Sequence, residues 1–342
     1  MPTPPDRPAP PGLPDRPDPH PRAGRRVRLR ALAAGLAVGL TVLLGLLLLL
    51  PGCGDDEPVK RVDLSKRVDL TAPTQSDAIT YAYLPQYSHS VSYERHRLLL
   101  EYLRQATGLP LRQVFPDTFD EHIKMVQRGE IDISFSNPFV YIKLAESGAQ
   151  AFARIIEPSG RPDFYGQILC RADNPNIETL ADCKGKRWIA VDPESAGGFL
   201  YPLGHFIENG IRREDFKEIA FAPGPGGKQE KVVLAVYAGT YDIGTVRNGT
   251  LEILADKIDL GAIRVLAESR PYPGWVYAAR KGLDPSVVQA LSRAMFALSM
   301  DNPEQAKILR AAGMRGILPA KDSDYDPVRA LARQVGIMPL EP

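Results

Sequence analysis

Three stretches of this 342-residue chain have residue types suited to holding an anion. Foremost is Arg187 to Pro202, RWIAVDPESAGGFLYP, an apolar strand, a glycine-containing turn and a helix. Ser195 is a natural helix N-cap, and Gly197 and Gly198 remove side chains where a ligand could approach the backbone. The free N–H groups of Ala196, Gly197 and Gly198 then point, with the positive end of the helix dipole, at whatever lies above the turn. Ser136-Asn137-Pro138 repeats the arrangement, a strand end followed by a helix with proline at its first position. Pro223-Gly-Pro-Gly-Gly-Lys228 opens a third helix, beginning at Gln229. Several helix N-termini converging on one cleft would neutralise an oxyanion mostly with backbone N–H groups, which suits a buried ligand that must leave again. Tyr83, Tyr87, Tyr141, Tyr165 and Ser195 could complete such a shell with hydroxyls, although each tyrosine taken alone fits ordinary core or surface packing better.

Catalytic sets are poorly represented. The histidines, His20, His89, His96, His122 and His205, have no zinc spacing. Ser195 lacks the first glycine of a G-x-S-x-G elbow because Pro193 stands there. Lys228 is followed by Gln229 rather than Ser or Thr, so no P-loop forms. The stretch from Gly224 to Gln229 also fails the dinucleotide fingerprint at its last position. A hydrolytic set of Asp192, Ser195 and His205 is disfavoured by the ten-residue gap to His205. The chain reads as a non-enzyme with no cofactor and no metal.

The elements that must position these turns alternate between strand and helix. Strands are expected at 79–84, 111–115, 168–170, 187–191, 216–220, 263–267 and 275–279, with helices at about 93–107, 119–127, 199–209, 229–238, 286–299, 303–312 and 326–335. One segment recurs: VQRGEIDISFSNP at 126–138 and VYAGTYDIGTVRN at 236–248 share a helix end, a glycine, Asp-Ile and an apolar strand. Gly129 pairs with Gly239 and Asp132 with Asp242. A helix stopped by glycine and returned at once into a buried strand is how a parallel α/β sheet is built, and two copies point to two similar lobes.

The N-terminal region has a different character. The first 22 residues hold ten of the 32 prolines and cannot bury enough apolar surface to fold. Seven Arg against three Asp give residues 1–30 a charge of +4, leaving about −3 on the rest of a chain whose net charge is +1. A near-neutral, slightly acidic body argues against nucleic acid as the main partner. Ala31 to Leu50 contains no charge and ends in Leu50-Pro51-Gly52-Cys53. Basic region, apolar run and Cys53 together look like a bacterial lipoprotein signal with Cys53 lipidated. The run is also long enough to remain as an uncleaved anchor. Either reading keeps the arginines inside and the remainder outside the cytoplasmic membrane. The expected organisation is a disordered region at 1–30, signal or anchor at 31–53, a tether at 54–77, the first lobe from 78 to 166, the second from 167 to 262, and completion of the first lobe at 263–342. With Cys53 accounted for, Cys170 and Cys183 form an even pair for which a disulfide is expected, two free buried thiols or an arsenite-binding pair being the other readings.

GEIDISFSNPFVYIKLAE at 129–146, LADCKGKRWIAVDPESAGGFLYP at 180–202 and KVVLAVYAGTYDIGTVR at 231–247 together resemble the phosphate, phosphite and phosphonate-binding proteins of ABC importers. These are a branch of the type II periplasmic binding proteins, and the likeness covers roughly 78–300. The resemblance implies two hinge-connected, parallel-rich α/β lobes closing over a phosphorus oxyanion held at the Ser195 turn. It also implies Tyr83 or Tyr87, Asn137, Tyr141, Tyr165 and Asp242 around the ligand, and a monomer that delivers it to an ABC permease. A receptor passing occupancy to a sensor kinase shares these features, and an enzyme on a related fold is the remote alternative. Two departures stand out. Ser195-Ala196-Gly197-Gly198 replaces the usual Ser-Thr-Ser-Gly, and Lys228-Gln229-Glu230 replaces a common Ser-His-Asp, which suggests a smaller or more highly charged oxyanion than an alkylphosphonate.

Overall fold

The structure, a computed structural model, describes residues 78–338. The arginine-rich region, the apolar run, Cys53 and the tether lie outside the described residues. Among the described residues, no helix is long and apolar enough to cross a membrane.

Two sheets of matching order form the frame. The first contains β1 (Ile79–Tyr83), β2 (Leu111–Val114), β3 (Ile133–Ser136), β4 (Gln150–Ile156), β12 (Val276–Ala279) and β13 (Gly316–Pro319), in the order β13-β4-β12-β3-β1-β2. The second contains β6 (Gly166–Arg171), β7 (Arg187–Ala190), β8 (Glu218–Phe221), β9 (Ile243–Arg247) and β10 (Ile263–Glu268), in the order β10-β6-β9-β7-β8. In each sheet three parallel strands, β2-β1-β3 or β8-β7-β9, are followed by an antiparallel strand that has crossed from the other part of the chain. This is the two-lobed type II arrangement.

The recurrent Gly-x-x-Asp-Ile segments play equivalent parts in the two sheets. The Asp132 carboxylate accepts from Thr80 N–H at 2.8 Å, and Asp132 N–H donates to Thr80 O. Asp242 does the same to Arg187, accepting from its N–H at 2.8 Å. Each aspartate therefore pins the first residues of the neighbouring parallel strand. Gly129 and Gly239 both take positive φ, the conformation that lets the helix stop and the chain return.

Helices cover the sheets: α1 (His89–Thr107), α2 (Phe119–Gln127), α3 (Pro138–Glu146), α4 (Tyr201–Glu208), α5 (Lys228–Tyr237), α6 (Thr250–Ile253), α7 (Pro285–Phe296), α8 (Pro303–Ala311) and α9 (Asp326–Gln334). A wide turn, Ala196–Leu200, leads into α4. Helix α1 begins four residues before the expected Tyr93 because the Ser88 hydroxyl accepts from Val91 N–H and caps it there.

The second lobe is longer than the expected 167–262. Strand β10 pairs with β6 from Ile263↔Arg171 to Glu268↔Gln167, covering the open edge of a strand whose Ile168, Leu169 and Cys170 are buried. The first crossing runs from Glu157 to Tyr165 and the second from Ser269 to Trp275. They pair with each other as a short ribbon, β5 (Asp163–Phe164) against β11 (Tyr272–Pro273). Packing at this hinge is close. A Cβ on Gly166 would lie 2.5 Å from Gly197 O, and one on Gly204 would lie 2.5 Å from the Leu331 side chain of α9, so both positions exclude a larger residue.

The core of the first lobe holds two fully buried imidazoles. His96 Nδ1 meets the Tyr81 hydroxyl, and His122 Nε2 meets Ser134 Oγ at 2.7 Å. Burial holds both imidazoles near 3, with Arg95 adding to the effect on His96, against an ordinary value of 6.5. Below pH 6.5 the unfolded chain takes up protons that the folded core refuses. The stability tied to the neutral rings is therefore complete above about pH 6.5 and is lost as pH falls toward 3. Denaturant titrations between pH 6 and 4 are expected to lose up to about 1.4 kcal/mol per pH unit for each histidine. A His96→Gln/His122→Gln double variant should show a flatter dependence, and an equal slope would refute the assignment.

Candidate functional site

Between the lobes lies a cleft of about 480 Å³. The first lobe contributes Tyr83 from the end of β1, Tyr87 and Arg95 around the start of α1, and Phe135 from β3. The second contributes Arg247 from the end of β9, then Asn248 and Glu252. The crossings contribute Glu157, Tyr165, Gln167 and Trp275. Strand ends converge here because each parallel strand delivers its carboxyl end to the same side of its sheet, where ligands of open α/β sheets bind.

Tyr83 anchors the aromatic wall, its ring 5.2 Å from Phe135, 5.5 Å from Trp275 and 6.2 Å from Tyr87, centroid to centroid. Its hydroxyl accepts from Gln86 Nε2 at 3.1 Å and from Arg95 Nη1 at 3.5 Å. Burial pushes the Tyr83 phenol up to about 12, with Arg95 opposing, so it is a neutral donor at physiological pH. The Arg95 guanidinium lies 4.6 Å above the Tyr87 ring and, among the described residues, has no acidic partner.

Arg247 is held differently. Its Nη2 donates to Glu157 Oε2 at 2.7 Å, and its guanidinium lies over the Phe164 ring at 4.9 Å. The side chains of the pair are only 14% and 3% exposed. Arg247 N–H donates to the Gln229 side-chain oxygen, and Asn248 Oδ1 accepts from Tyr165 N–H, fastening β9 to the first crossing.

The expected residues divide into groups. Tyr83, Tyr87 and Tyr165 line the cleft. Asn137, Ser195, Ala196, Gly197 and Gly198 come together beside it, where the N-termini of α3 and the Ser195 turn meet across the lobes. Asn137 Oδ1 caps α3 while its Nδ2 donates to Glu194 O at 3.1 Å. Ser195 Oγ accepts from Gly198 N–H. The turn is buried, with Arg247 Cβ and the Phe164 ring each 2.8 Å from where a Gly197 Cβ would be. Lys228 is spent on a buried ion pair with Asp192, and Gln229 supports Arg247 from behind. Glu194 also pairs with Lys143 at 3.3 Å, and burial holds its carboxyl above the usual range, with Asp192 adding to the effect and Lys143 opposing it.

Two expected ligands stand apart from the cleft. Tyr141 donates to Asp322 Oδ1 at 2.7 Å and accepts from Ala151 N–H, so its hydroxyl is used in the first lobe's own packing. Asp242 precedes β9, at the opposite end from Arg247. Cys170 and Cys183 are free, buried thiols rather than a disulfide. Burial, with Cys170 as a further contribution, pushes the Cys183 thiol up to about 12, so it remains protonated and inert.

Arg95, Arg247, Glu157 and Trp275 were not among the expected site residues. The repeat itself carried a signal for one of them: aligning its two copies sets Arg247 opposite Asn137, each at a strand's carboxyl end. Arg95, inside a helix rich in charge, had no such marker.

Residues 81–325 match the family model described as ABC transporter, phosphonate, periplasmic substrate-binding protein. Over 289 residues the sequence is 29% identical to the phosphate-import protein PhnD of Mycolicibacterium smegmatis, an alignment spanning 79% of this chain and 90% of that protein. The binding protein component of an ABC phosphonate transporter from Pseudomonas aeruginosa superposes with a TM-score of 0.65 at 20% identity, over 74% of this chain and 85% of that one. PhnD1 of Prochlorococcus marinus, solved in complex with methylphosphonate, gives 0.68 at 13% identity, over 77% and 99%. At these identities the likeness to the solved structures is one of fold.

The Arg247–Glu157 pair yields a stability test. Arg247→Met would leave the Glu157 carboxylate buried without its cation, a change expected to cost about 3–5 kcal/mol. A denaturant midpoint shift corresponding to less than about 1 kcal/mol, the range of exposed pairs, would show that water already solvates the pair.

Proposed function

Because the chain belongs to the family of phosphonate periplasmic substrate-binding proteins of ABC transporters, we propose that it captures a phosphorus oxyanion in the cleft between its lobes and delivers it to an ABC permease. The observation that carries this reading is Arg95, a half-buried guanidinium in an interlobe cleft whose partners among the described residues are Tyr83 and Tyr87, with no carboxylate. A cation kept from water without a carboxylate favours an anion, and charge-assisted hydrogen bonds of this kind are roughly twice as strong as neutral ones. Arg247, paired with Glu157, supplies a second guanidinium from the opposite lobe. An anion touching both would be held by both lobes at once, and so would favour the closed arrangement over the open one.

The N-termini of α3 and the Ser195 turn meet beside this cleft, and their backbone N–H groups add to the same positive potential. Lys228 and Gln229 serve as supports and Asp242 as a strand clamp, so in this reading they do not contact the ligand. Phosphate-import PhnD and the methylphosphonate complex of PhnD1 indicate the class of anion. The N-terminal region supplies the anchor, by lipidation at Cys53 or by an uncleaved apolar run, and holds a monomer outside the cytoplasmic membrane within reach of its permease.

Calorimetric titration of the purified protein with phosphate, phosphite and methylphosphonate tests the proposal. Submillimolar or tighter binding of at least one is expected, and Arg95→Met should weaken it by at least about tenfold. Unchanged affinity in that variant would remove the anion from this cleft.

A further inference from the structure

Three buried side-chain atoms of residues that line the cleft have no hydrogen-bond partner among the described residues: Trp275 Nε1, Glu157 Oε1 and Gln167 Oε1. Their residues are 2%, 3% and 9% exposed. A buried polar atom without a hydrogen bond is costly, and in a binding cleft its missing partner is most simply the ligand. All three residues belong to the hinge. Glu157 begins the first crossing, Gln167 follows its end, and Trp275 closes the second, its carbonyl accepting from Ile155 N–H at 3.1 Å. The cleft that these residues line has a volume of about 480 Å³, several times the ~80 Å³ that a phosphate-sized ion occupies when a single water takes about 30 Å³.

The chemistry of the three atoms is specific. Trp275 offers one N–H donor and no acceptor. Glu157 Oε1 and Gln167 Oε1 are acceptors, since Gln167 Nε2 already donates to Glu268 at 2.9 Å. A methyl group satisfies none of them. An ammonium group has donors for the two oxygens but no lone pair for the indole, and the Glu157 charge is already matched by Arg247. A hydroxyl both accepts and donates, and so can answer the indole N–H together with one of the oxygens. Aromatic rings of Tyr83, Phe135 and Trp275 would enclose the carbon atoms of such a group.

Resting on the oxyanion reading above, we infer that Trp275, Gln167 and Glu157 form a second subsite that selects a hydroxyl on the organic substituent of the phosphorus. The preferred ligand class is then a hydroxylated organophosphonate or phosphoester, not the bare inorganic ion. The orphaned atoms are covered while the lobes touch, so the substituent enters as the crossings flex and is sealed by their return.

A matched series isolates the terminal group: 2-hydroxyethylphosphonate, n-propylphosphonate and 2-aminoethylphosphonate, with methylphosphonate and inorganic phosphate as references. In the intact protein the hydroxyl compound should bind at least about tenfold more tightly than its propyl isostere, as expected of a site whose polar atoms would otherwise stay unpaired. It should also bind more tightly than the amine. Trp275→Phe and, separately, Gln167→Leu should bring the hydroxyl-to-propyl affinity ratio toward one, with near-ultraviolet circular dichroism confirming that each variant is folded. Equal or tighter binding of the propyl compound, the amine or inorganic phosphate would overturn the inference and leave the oxyanion reading standing. Loss of all five from the unaltered protein would overturn both.

Discussion

The Arg247 guanidinium is the group around which the junction of the two lobes is built. A charge taken out of water must be paired and hydrogen-bonded or it destabilises the fold by several kcal/mol. Glu157 does this from the other lobe's side of the hinge. The rest of the junction follows from placing that pair. Gly197 is glycine because Arg247 Cβ occupies the space of its side chain, and Gly166 is glycine because Gly197 O stands over it. Gln229 is fixed by the Arg247 N–H, and Thr250 reaches both the Gln229 side chain and Arg247 O. A helix start, a strand end and a crossing are thus tied to one side chain.

This constraint also explains why the turn with the strongest anion signature is not exposed. The Ser195 turn was read from its residue types as a place where a ligand meets free backbone N–H groups. In the fold those residues lie beneath Arg247 and Phe164, and Arg95 is the cleft guanidinium that has no carboxylate partner among the described residues. Substituting Ala196 and Gly197 for hydroxyl-bearing residues is consistent with this burial. Small apolar residues pack under an arginine without leaving hydroxyls to satisfy.

The architecture was legible because glycine and aspartate mark it chemically. A Gly at positive φ followed by Asp-Ile states where a helix stops and which strand the aspartate will clamp, and it appears twice. Strands β4 and β13 were not legible. QAFARII places Arg154 within an apolar run, and GILP is too short to show a period. Their strand character comes from pairing with β12 and with each other, a tertiary cause. The site was legible only where residue type and turn coincide, as at Tyr83, Tyr87 and Tyr165. Arg95 resembles any helical surface charge until the fold shows that no carboxylate among the described residues accompanies it, and Trp275 Nε1 counts as orphaned only once its surroundings are known.

The distribution of interlobe contacts suits a protein that must both hold and release. The buried Arg247–Glu157 pair lies at the crossings, near the axis about which lobes joined in this way turn, so rotation there moves it little. Elsewhere the lobes touch through Asn137 and Glu194, through the half-buried Lys143–Glu194 pair and where Gly226 meets the backbone of Tyr87 and Ser88. The Lys143–Glu194 pair keeps about a quarter of its side-chain surface in water, so solvent screens it more than the Arg247–Glu157 pair, and a single neutral hydrogen bond contributes about 1 kcal/mol. Parting the lobes at these contacts therefore sacrifices interactions more exposed to solvent than the Arg247–Glu157 pair. In the proposed reading, the interactions of a bound anion with Arg95 on one lobe and Arg247 on the other add to these contacts and shift the equilibrium toward the closed state.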